Sequence, residues 1–198
     1  LPQKWQENPL RLKKKFSPTI PFYFPSFVLN SFSVRAFNFL YFNKQRQKVV
    51  KNFIDYETFF YPLDAINDWN KIYGKGGFIQ YQMVIPKEKG KEGMKKILET
   101  IGRSGQGSFL AVLKLFGKGN PEAYNSFPFE GYTLALDFKI NRELRQLVDN
   151  LDKIVEEFGG RIYLTKDSMS KPSLTNYLKN VDSSKFVSLQ SKRIKRGS

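Results

Sequence analysis

The sequence of 198 residues contains neither cysteine nor histidine. Their absence excludes disulfide bonds, thiolate nucleophiles, the usual zinc sites and every catalytic triad that depends on histidine. An enzyme built from this chain must therefore use lysine, tyrosine, carboxylates or a cofactor, and we predict no metal site. No run of 18 apolar residues occurs either, so the sequence predicts no membrane-spanning helix.

The excess of positive charge is confined to the two ends of the chain. Residues 1–50 carry nine Lys or Arg and one Glu, and residues 171–198 carry seven Lys or Arg and one Asp. Residues 51–170 carry 17 basic and 16 acidic side chains, so the ends hold +14 of the net charge of +15. A nearly neutral middle is atypical of a nucleic-acid-binding core, and we predict no nucleic-acid partner. The basic ends can face water, an acidic partner domain or an anionic membrane.

The first part of the chain combines proline with aromatic residues. Residues 1–30 contain five prolines, which exclude a long helix and a central strand. The aromatic stretch Phe22–Phe27 predicts an extended segment that covers an apolar surface. A helix is predicted over Ser31–Asn43, where apolar side chains follow helical spacing after a serine that can cap it.

From residue 78 onward the hydrophobic spacing predicts strands and helices in the order β-α-β-β-α-β. The predicted strands span 78–85, 109–116, 131–138 and 161–165, and the predicted helices span 87–102 and 141–158. We expect Met94, Ile97, Leu98 and Ile101 to face inward on the first helix, and Asn141 to cap the second. The order predicts an α+β fold with a ferredoxin-like core, in which both helices cover one face of an antiparallel sheet. We also expect an extended N-terminal segment and a helical C-terminal tail.

The stretch Glu157–Ser168 predicts a helix end, a Gly-Gly stop and a short strand. In an extended strand Tyr163 and Thr165 share one face, and Lys166 follows where the strand ends. This pattern is typical of a fold that presents side chains to a ligand. These residues alone favour the alternative, an ordinary edge strand with a surface lysine.

Polar residues interrupt each of the three longer strands, and those within one strand share a face of that strand. An unpaired buried charge costs several kcal/mol, so the lysine among them must reach water, a carboxylate or a ligand. A sheet with one solvated face shows such alternation, and so does the wall of a mostly apolar pocket with a few polar groups. The positions are Gln80, Gln82, Lys114, Thr133 and Asp137, with the apolar Val112, Phe116 and Ala135 beside them.

Several phrases of the sequence, in the same order along nearly the whole chain, resemble the C-terminal half of FAD-linked oxidases of the vanillyl-alcohol-oxidase type. The resemblance implies a substrate domain that lies over a flavin bound mainly by an N-terminal domain, because this chain contains no Gly-rich flavin-phosphate segment. We therefore expect the isolated chain to be a C-terminal portion that is inactive and does not hold FAD tightly. The phrases are Ser33–Asn38, Tyr61–Asp64, Asp68–Asn70, Tyr73–Gly74, Gly77–Gln82, Lys114–Gly117 and Phe158–Ser168.

The same resemblance assigns roles to individual residues. It implies that Tyr163 contacts FAD and that Lys166 lies at the flavin–substrate site as the catalytic lysine. It also implies a substrate pocket that departs from the family pattern at three positions, where Phe60 replaces Tyr, Thr133 replaces Asn and Ala135 replaces Cys. The full set of implied substrate-binding residues is Gln80, Gln82, Lys114, Phe116, Phe60, Leu63, Thr133 and Ala135.

The resemblance further implies a reaction and its partners. The cofactor FAD takes hydride from a sugar hydroxyl, which we expect to be the 2-hydroxyl of a polyprenyl-phosphate-linked pentose. An NAD-dependent short-chain reductase is the implied protein partner, and we expect a cytoplasmic protein that touches a membrane surface. The alternatives are a sugar-lactone oxidase on the same scaffold and a basic module that binds anionic lipid or nucleic acid.

Three regions follow from this interpretation. We expect residues 1–52 to form a covering segment and a helix, and residues 53–160 to form the substrate-binding domain. Residues 161–198 would form a strand and a basic tail that return to the FAD-binding domain. Within the first region, the aromatic segment 16–27 is either a flap that shields the pocket at a membrane or a plain covering segment.

Overall fold

A computed structural model describes residues 16–25, 27–28, 30–54, 56–61, 64–120, 123, 126–166 and 169. The predicted helical C-terminal tail lies outside these residues. The described elements begin with helix α1 (Ser31–Asn43), helix α2 (Tyr56–Phe60) and a 3-10 helix (Trp69–Tyr73). They continue with strand β1 (Phe78–Pro86), a 3-10 turn (Lys87–Lys89), helix α3 (Gly90–Ser104), strand β2 (Ser108–Phe116), strand β3 (Gly131–Lys139), helix α4 (Leu144–Glu157) and strand β4 (Arg161–Ile162).

The four strands form one sheet in the order β2-β3-β1-β4, and each neighbouring pair is antiparallel. This order brings the first and third strands to the centre and leaves the other two at the edges. It is the arrangement that the β-α-β-β-α-β order predicts, so the predicted α+β class and ferredoxin-like core are confirmed.

The hydrophobic core lies between one face of the sheet and helices α3 and α4. The odd-numbered residues of β1 and the even-numbered residues of β3 point into it, because side chains alternate along a strand. Helix α4 supplies a continuous stripe of buried side chains, as its spacing predicted. The core consists of Ile79, Tyr81, Met83, Ile85, Met94, Ile97, Leu134, Leu136, Phe138, Leu144, Leu147, Val148, Leu151, Ile154, Val155 and Ile162.

The ends of the helices differ in detail from the sequence prediction. Asn30, not Ser31, caps α1, because its side-chain oxygen accepts hydrogen bonds from the backbone N–H groups of Phe32 and Ser33. At α4, Asn141 Oδ1 accepts from the N–H of Leu144 at 2.9 Å, but the helix begins three residues later than predicted and Glu143, not Asn141, occupies the N-cap position.

The prediction that Leu98 of α3 faces the core is wrong. Leu98 is 54% exposed, whereas Met94 and Ile97 on the same helix are buried. Successive residues of an α-helix are rotated by about 100° around its axis, so Leu98 points away from the sheet although its neighbour Ile97 points towards it. The sheet ends at the edge strand β2 and does not extend far enough to cover Leu98. On this side of β2, Leu113 and Leu115 are likewise 60% and 57% exposed.

The described part of the N-terminal segment is extended, as predicted. It runs alongside residues 67–71, where the N–H of Ile20 donates to the carbonyl of Asn67 and the N–H of Phe24 donates to that of Lys71, both at 3.0 Å. Phe22 remains 61% exposed beside this contact. The segment is therefore attached to the loop that precedes β1, with part of its aromatic surface open.

Candidate active site

The face of the sheet away from the helices carries the predicted polar residues. In the register of β1 and β3, Gln80 lies opposite Asp137 and Gln82 lies opposite Ala135. In the register of β2 and β3, Lys114 lies opposite Thr133. Directly paired residues in antiparallel strands point to the same side, so these residues share one surface, which we call the open face.

Hydrogen bonds between neighbouring strands fix the amide groups on the open face. Gln80 Nε2 donates to Asp137 Oδ1 at 2.8 Å, and Gln82 Nε2 donates to Thr133 Oγ1 at 3.1 Å. The Thr133 hydroxyl in turn donates to the carbonyl of Met83 at 2.8 Å. Both glutamine side chains are half-buried and held in defined positions. Because each has donated only part of its hydrogen-bonding capacity in these contacts, each can still bind a polar ligand.

A row of aromatic rings crosses one end of the open face. The buried Phe127 contacts Phe116 of β2 at a centroid distance of 5.9 Å and Tyr163 at 4.8 Å. Phe116 lies on the edge strand β2, and Tyr163 follows the opposite edge strand β4. Because neighbouring strands are about 4.8 Å apart, the two edges of the sheet are separated by about 14 Å. Arg161 holds the segment of Phe127 in place, since its Nη1 donates to the carbonyl of Ser126 at 2.8 Å. The segment around Phe127 therefore covers this end of the open face and gives Tyr163 a rigid apolar contact.

The last predicted strand is shorter than the sequence suggested. Strand β4 contains only Arg161 and Ile162, and residues 164–166 form a turn in which the N–H of Lys166 donates to the carbonyl of Tyr163 at 3.1 Å. The predicted strand over 161–165, with Tyr163 and Thr165 on one face, is therefore wrong. The N–H of Tyr163 still donates to the carbonyl of Gln82 at 2.8 Å, which anchors the turn to β1.

The positive charge of Lys166, in this turn, acts on the carboxyl of Asp137, which lies opposite Gln80 on the open face. Asp137 is fully buried, whereas Lys166 is exposed. Burial raises the pKa of the Asp137 carboxyl above its ordinary range, while the hydrogen bond from Gln80 and the positive charge of Lys166 act in the opposite direction. The open face thus carries a buried carboxyl that is influenced by the charge of an exposed ammonium group.

The remaining predicted site residues take no part in the contacts given above or lie outside the described residues. Lys114 is exposed on the edge strand β2, so it meets water. Phe60 is 66% exposed at the end of α2, where its ring packs edge-on against Phe59 at 4.9 Å. Leu63 lies outside the described residues. Of the predicted set, the structure brings together on or beside one surface Gln80, Gln82, Lys114, Thr133, Ala135, Phe116, Tyr163 and Lys166.

Two residues that the site prediction omitted belong to the same surface. Asp137 was noted only as sharing a face with Thr133, although a carboxylate inside an apolar strand is itself a signal of a functional or buried polar group. Phe127 lies in an irregular segment between two strands, and no periodic pattern in the sequence indicates that it folds back over the sheet.

The described residues contain no group of three or more carboxylates that could hold a metal ion. Within the same part of the chain, no helix is both long and apolar enough to cross a membrane.

Sequence comparison identifies relatives of this chain. It is 42% identical over 171 residues to decaprenylphosphoryl-beta-D-ribose oxidase of Mycolicibacterium smegmatis, and this match covers 85% of the chain and 36% of the relative. It is also 33% identical over 82 residues to a Streptomyces coelicolor protein described as an uncharacterized protein in the mprA 5′ region, covering 41% of the chain and 22% of that protein. No family model matches. The resemblance found in the sequence is thus confirmed as a similarity to decaprenylphosphoryl-beta-D-ribose oxidase, of whose length the chain spans 36%.

Proposed function

We propose that this chain is the substrate-binding portion of an FAD-dependent oxidoreductase that oxidises a sugar hydroxyl. The observation that carries the proposal is the 42% identity over 85% of the chain to an oxidase whose name specifies a polyprenyl-phosphate ribose. The open face supports it, because one sheet surface combines fixed amides, an aromatic row and a lysine. The division into a covering segment, a sheet domain and a basic tail is part of the same proposal.

The residues of the open face suit the reacting end of a flavin and its substrate, and they do not suit the flavin phosphates. Phosphate groups are held by Gly-rich loops at helix N-termini, and this sequence contains no such segment. FAD would therefore be bound mainly by residues outside this chain, with Tyr163 as a contact from this side. When bound, FAD accepts the hydride that leaves the sugar carbon.

Lys166 is the residue proposed to act on the sugar hydroxyl. Its ammonium group is exposed at the end of an anchored turn, so it can reach a ligand above the open face. A cation there would stabilise negative charge that develops on the hydroxyl oxygen as its proton passes to solvent water and the hydride passes to the flavin. The aromatic row keeps the turn in place, because Tyr163 packs on the buried Phe127.

The glutamines and Lys114 are proposed to orient the sugar. Gln80 and Gln82 are fixed by Asp137 and Thr133, so their free amide atoms present hydrogen-bonding groups at defined positions. Lys114, at the opposite edge, suits an anionic group such as the phosphate of a lipid-linked sugar. Phe116, Thr133 and Ala135 would form the floor of the pocket, and Phe60 and Leu63 would contribute from the segment before β1.

The decisive experiment uses the complete oxidase polypeptide that contains this chain. Stopped-flow measurement of flavin reduction by a polyprenyl-phosphate pentose should show a loss of about 10²-fold or more for Lys166→Ala. The control Lys95→Ala removes a lysine whose side chain is 77% exposed on α3 and should change the rate less than twofold. Equal rates for wild type and Lys166→Ala would contradict the role of Lys166. Faster flavin reduction by an aldonolactone or its parent sugar than by the lipid-linked pentose would instead favour the sugar-lactone oxidase.

The ketone formed by this oxidation defines the chemistry of the proposed partner. An NAD-dependent short-chain reductase can return hydride to the new carbonyl, and it would consume the product of the oxidase. A coupled assay should show NADH oxidation only when the reductase, the oxidase and the sugar substrate are all present. Absence of coupling with an oxidase that still reduces its flavin would remove the reductase from the proposal.

Contact with an anionic membrane surface is proposed for helix α1. Its side chains Phe32, Phe39 and Phe42 are 81%, 68% and 81% exposed, and the basic stretch from Lys44 to Lys51 follows directly. Exposed aromatic residues beside basic ones are typical of segments that lie in a membrane interface. Co-sedimentation with vesicles should therefore increase with their content of anionic lipid and fall with salt. Equal binding of neutral and anionic vesicles would contradict the preference for an anionic surface, and no binding to either would contradict a membrane role and favour a protein surface as the occupant.

A further inference from the structure

Asp137 is the one described residue of the open face with a fully buried side-chain oxygen that accepts no hydrogen bond. Its side chain is fully buried, and its Oδ1 accepts a hydrogen bond from Gln80 Nε2 at 2.8 Å. Its Oδ2 is buried as well, and no described residue donates a hydrogen bond to it. Leaving a buried acceptor unpaired opposes folding, so such an atom in a candidate site calls for a donor.

The backbone around Asp137 is adapted to hold this side chain in place. The pairing of β2 with β3 skips between Ser108 and Ala111, so two residues of β2 lie opposite Asp137 alone. This bulge interrupts the ladder, and Ser108 Oγ accepts the hydrogen bond from the N–H of Asp137 at 3.0 Å. The same hydroxyl donates to the carbonyl of Leu110 at 2.6 Å. Bulges of this kind are frequent next to active sites, where they aim a side chain.

The groups that face the carboxyl come from three elements. Gln80 of β1 donates to the carboxyl, Ser108 of β2 accepts from the backbone N–H of Asp137, and both are neutral, whereas the charged Lys166 comes from the turn after β4. Among the described residues, Lys166 is the charged side chain that acts on Asp137. Its positive charge opposes the effect of burial on the pKa of Asp137. The natural donor for Oδ2 within this site is therefore the ammonium group of Lys166.

We propose that Asp137 is a positioning residue, whose Oδ2 accepts a hydrogen bond from Nζ of Lys166 and holds that ammonium group over the open face when substrate is bound. This inference rests on the proposed function, because it assigns Asp137 an effect on the reaction only through Lys166. It also gives the exposed lysine a fixed direction, which a long side chain does not otherwise have. The paired charges remain together because Gln80 fixes the other carboxyl oxygen.

The ionisation of Asp137 supplies the measurable signature. Burial raises the pKa of Asp137, and below that pKa the neutral carboxyl no longer holds an ammonium group. The rate of flavin reduction in the complete oxidase should therefore fall as pH decreases through this pKa. We call this fall in rate at low pH the acid limb. The variant Asp137→Asn should lower the rate about tenfold or more near neutral pH, and its rate should show no acid limb.

A matched control comes from the other face of the sheet. Asp152 is also buried, where it accepts a hydrogen bond from the Tyr81 hydroxyl at 2.8 Å. The variant Asp152→Asn perturbs a buried carboxyl far from the open face, so it should keep the acid limb. If Asp137→Asn does not fold, Lys166→Met provides the second test, because removal of the ammonium group should abolish the same limb.

The outcomes separate this inference from the proposed function. An acid limb that persists in Asp137→Asn at the same pH, or in folded Lys166→Met, overturns the inference. A rate loss in Asp137→Asn that is equal at all pH values also overturns it, because that pattern indicates a structural role alone. If Lys166→Ala abolishes flavin reduction while Asp137→Asn keeps the limb, only the inference fails. If Lys166→Ala has no effect, the proposed role of Lys166 fails as well.

Discussion

The substitution Gly160→Ala tests how the junction between α4 and β4 positions the candidate site. A Cβ at Gly160 would lie 2.5 Å from the carbonyl oxygen of Val84 and 2.9 Å from methyl groups of Ile85 and Val155. Val84 pairs with Arg161, so the clash falls between the central strand β1 and the edge strand β4. The backbone oxygen cannot rotate away as a side chain could.

The expected cost follows from the distance. Cβ atoms in proteins essentially never approach another heavy atom closer than 3.0 Å, so β4 must move away from β1 or the helix end must shift. Overpacking of a well-packed core costs about 1–3 kcal/mol, and we expect about 3 kcal/mol because one of the clashing atoms is backbone. This is a large part of the free energy of unfolding of a typical domain, about 5–15 kcal/mol.

Two other glycines provide controls with different signs. Gly102 lies in α3, and a Cβ added there would have nothing within 4 Å, so Gly102→Ala should stabilise the helix by about 1 kcal/mol. Gly159 has φ +70° and equally free space, so Gly159→Ala should cost about 1–2 kcal/mol through backbone strain alone. Comparison of the three variants separates steric overlap from conformational strain.

The assay is urea unfolding of the 198-residue chain followed by far-UV circular dichroism. A lower midpoint with an unchanged slope reports a loss of stability rather than a change in the unfolded state. A cost below about 0.5 kcal/mol for Gly160→Ala, the range of neutral surface substitutions, would refute the packing of β4 against β1 described above. In the complete oxidase the same variant should also slow flavin reduction, because β4 leads directly to Tyr163 and Lys166.

Two further predictions concern buried polar groups. Tyr81→Phe removes the hydroxyl that donates the 2.8 Å hydrogen bond to Asp152. In urea unfolding, this variant should be less stable by about 1–3 kcal/mol. A loss below about 0.3 kcal/mol would mean that the bond contributes almost nothing to stability. For Asp137, the pKa is raised in the folded state above its ordinary value of 3.8, so the folded chain binds this proton more tightly than the unfolded chain. Its contribution to stability is therefore greatest at low pH and is lost as pH rises through the raised pKa. Unfolding measured across this window should show that Asp137→Asn removes this decline, and an identical pH dependence in both proteins would contradict the assignment.

Most of the secondary structure could be predicted because it depends on local spacing. The stripe from Leu144 to Val155 has the helical period, and the strands β1 and β3 alternate with period two. Leu98 shows the limit of such reasoning, since helical spacing cannot tell how far the neighbouring sheet extends. The short β4 shows a second limit: the hydrogen bond from the N–H of Lys166 to Tyr163 closes a turn that alternation alone does not reveal.

The α+β class, the order of the strands and the polar character of one sheet face follow from the amino-acid sequence alone, because alternation places Gln80 and Gln82 on the same side. The full burial of Asp137, with one oxygen unpaired among the described residues, emerges only in three dimensions, because its environment comes from three separate elements. The same holds for the aromatic row, where Phe127 joins Phe116 to Tyr163 across the sheet. Contacts between residues distant in sequence depend on how the strands pair, and no local pattern records them.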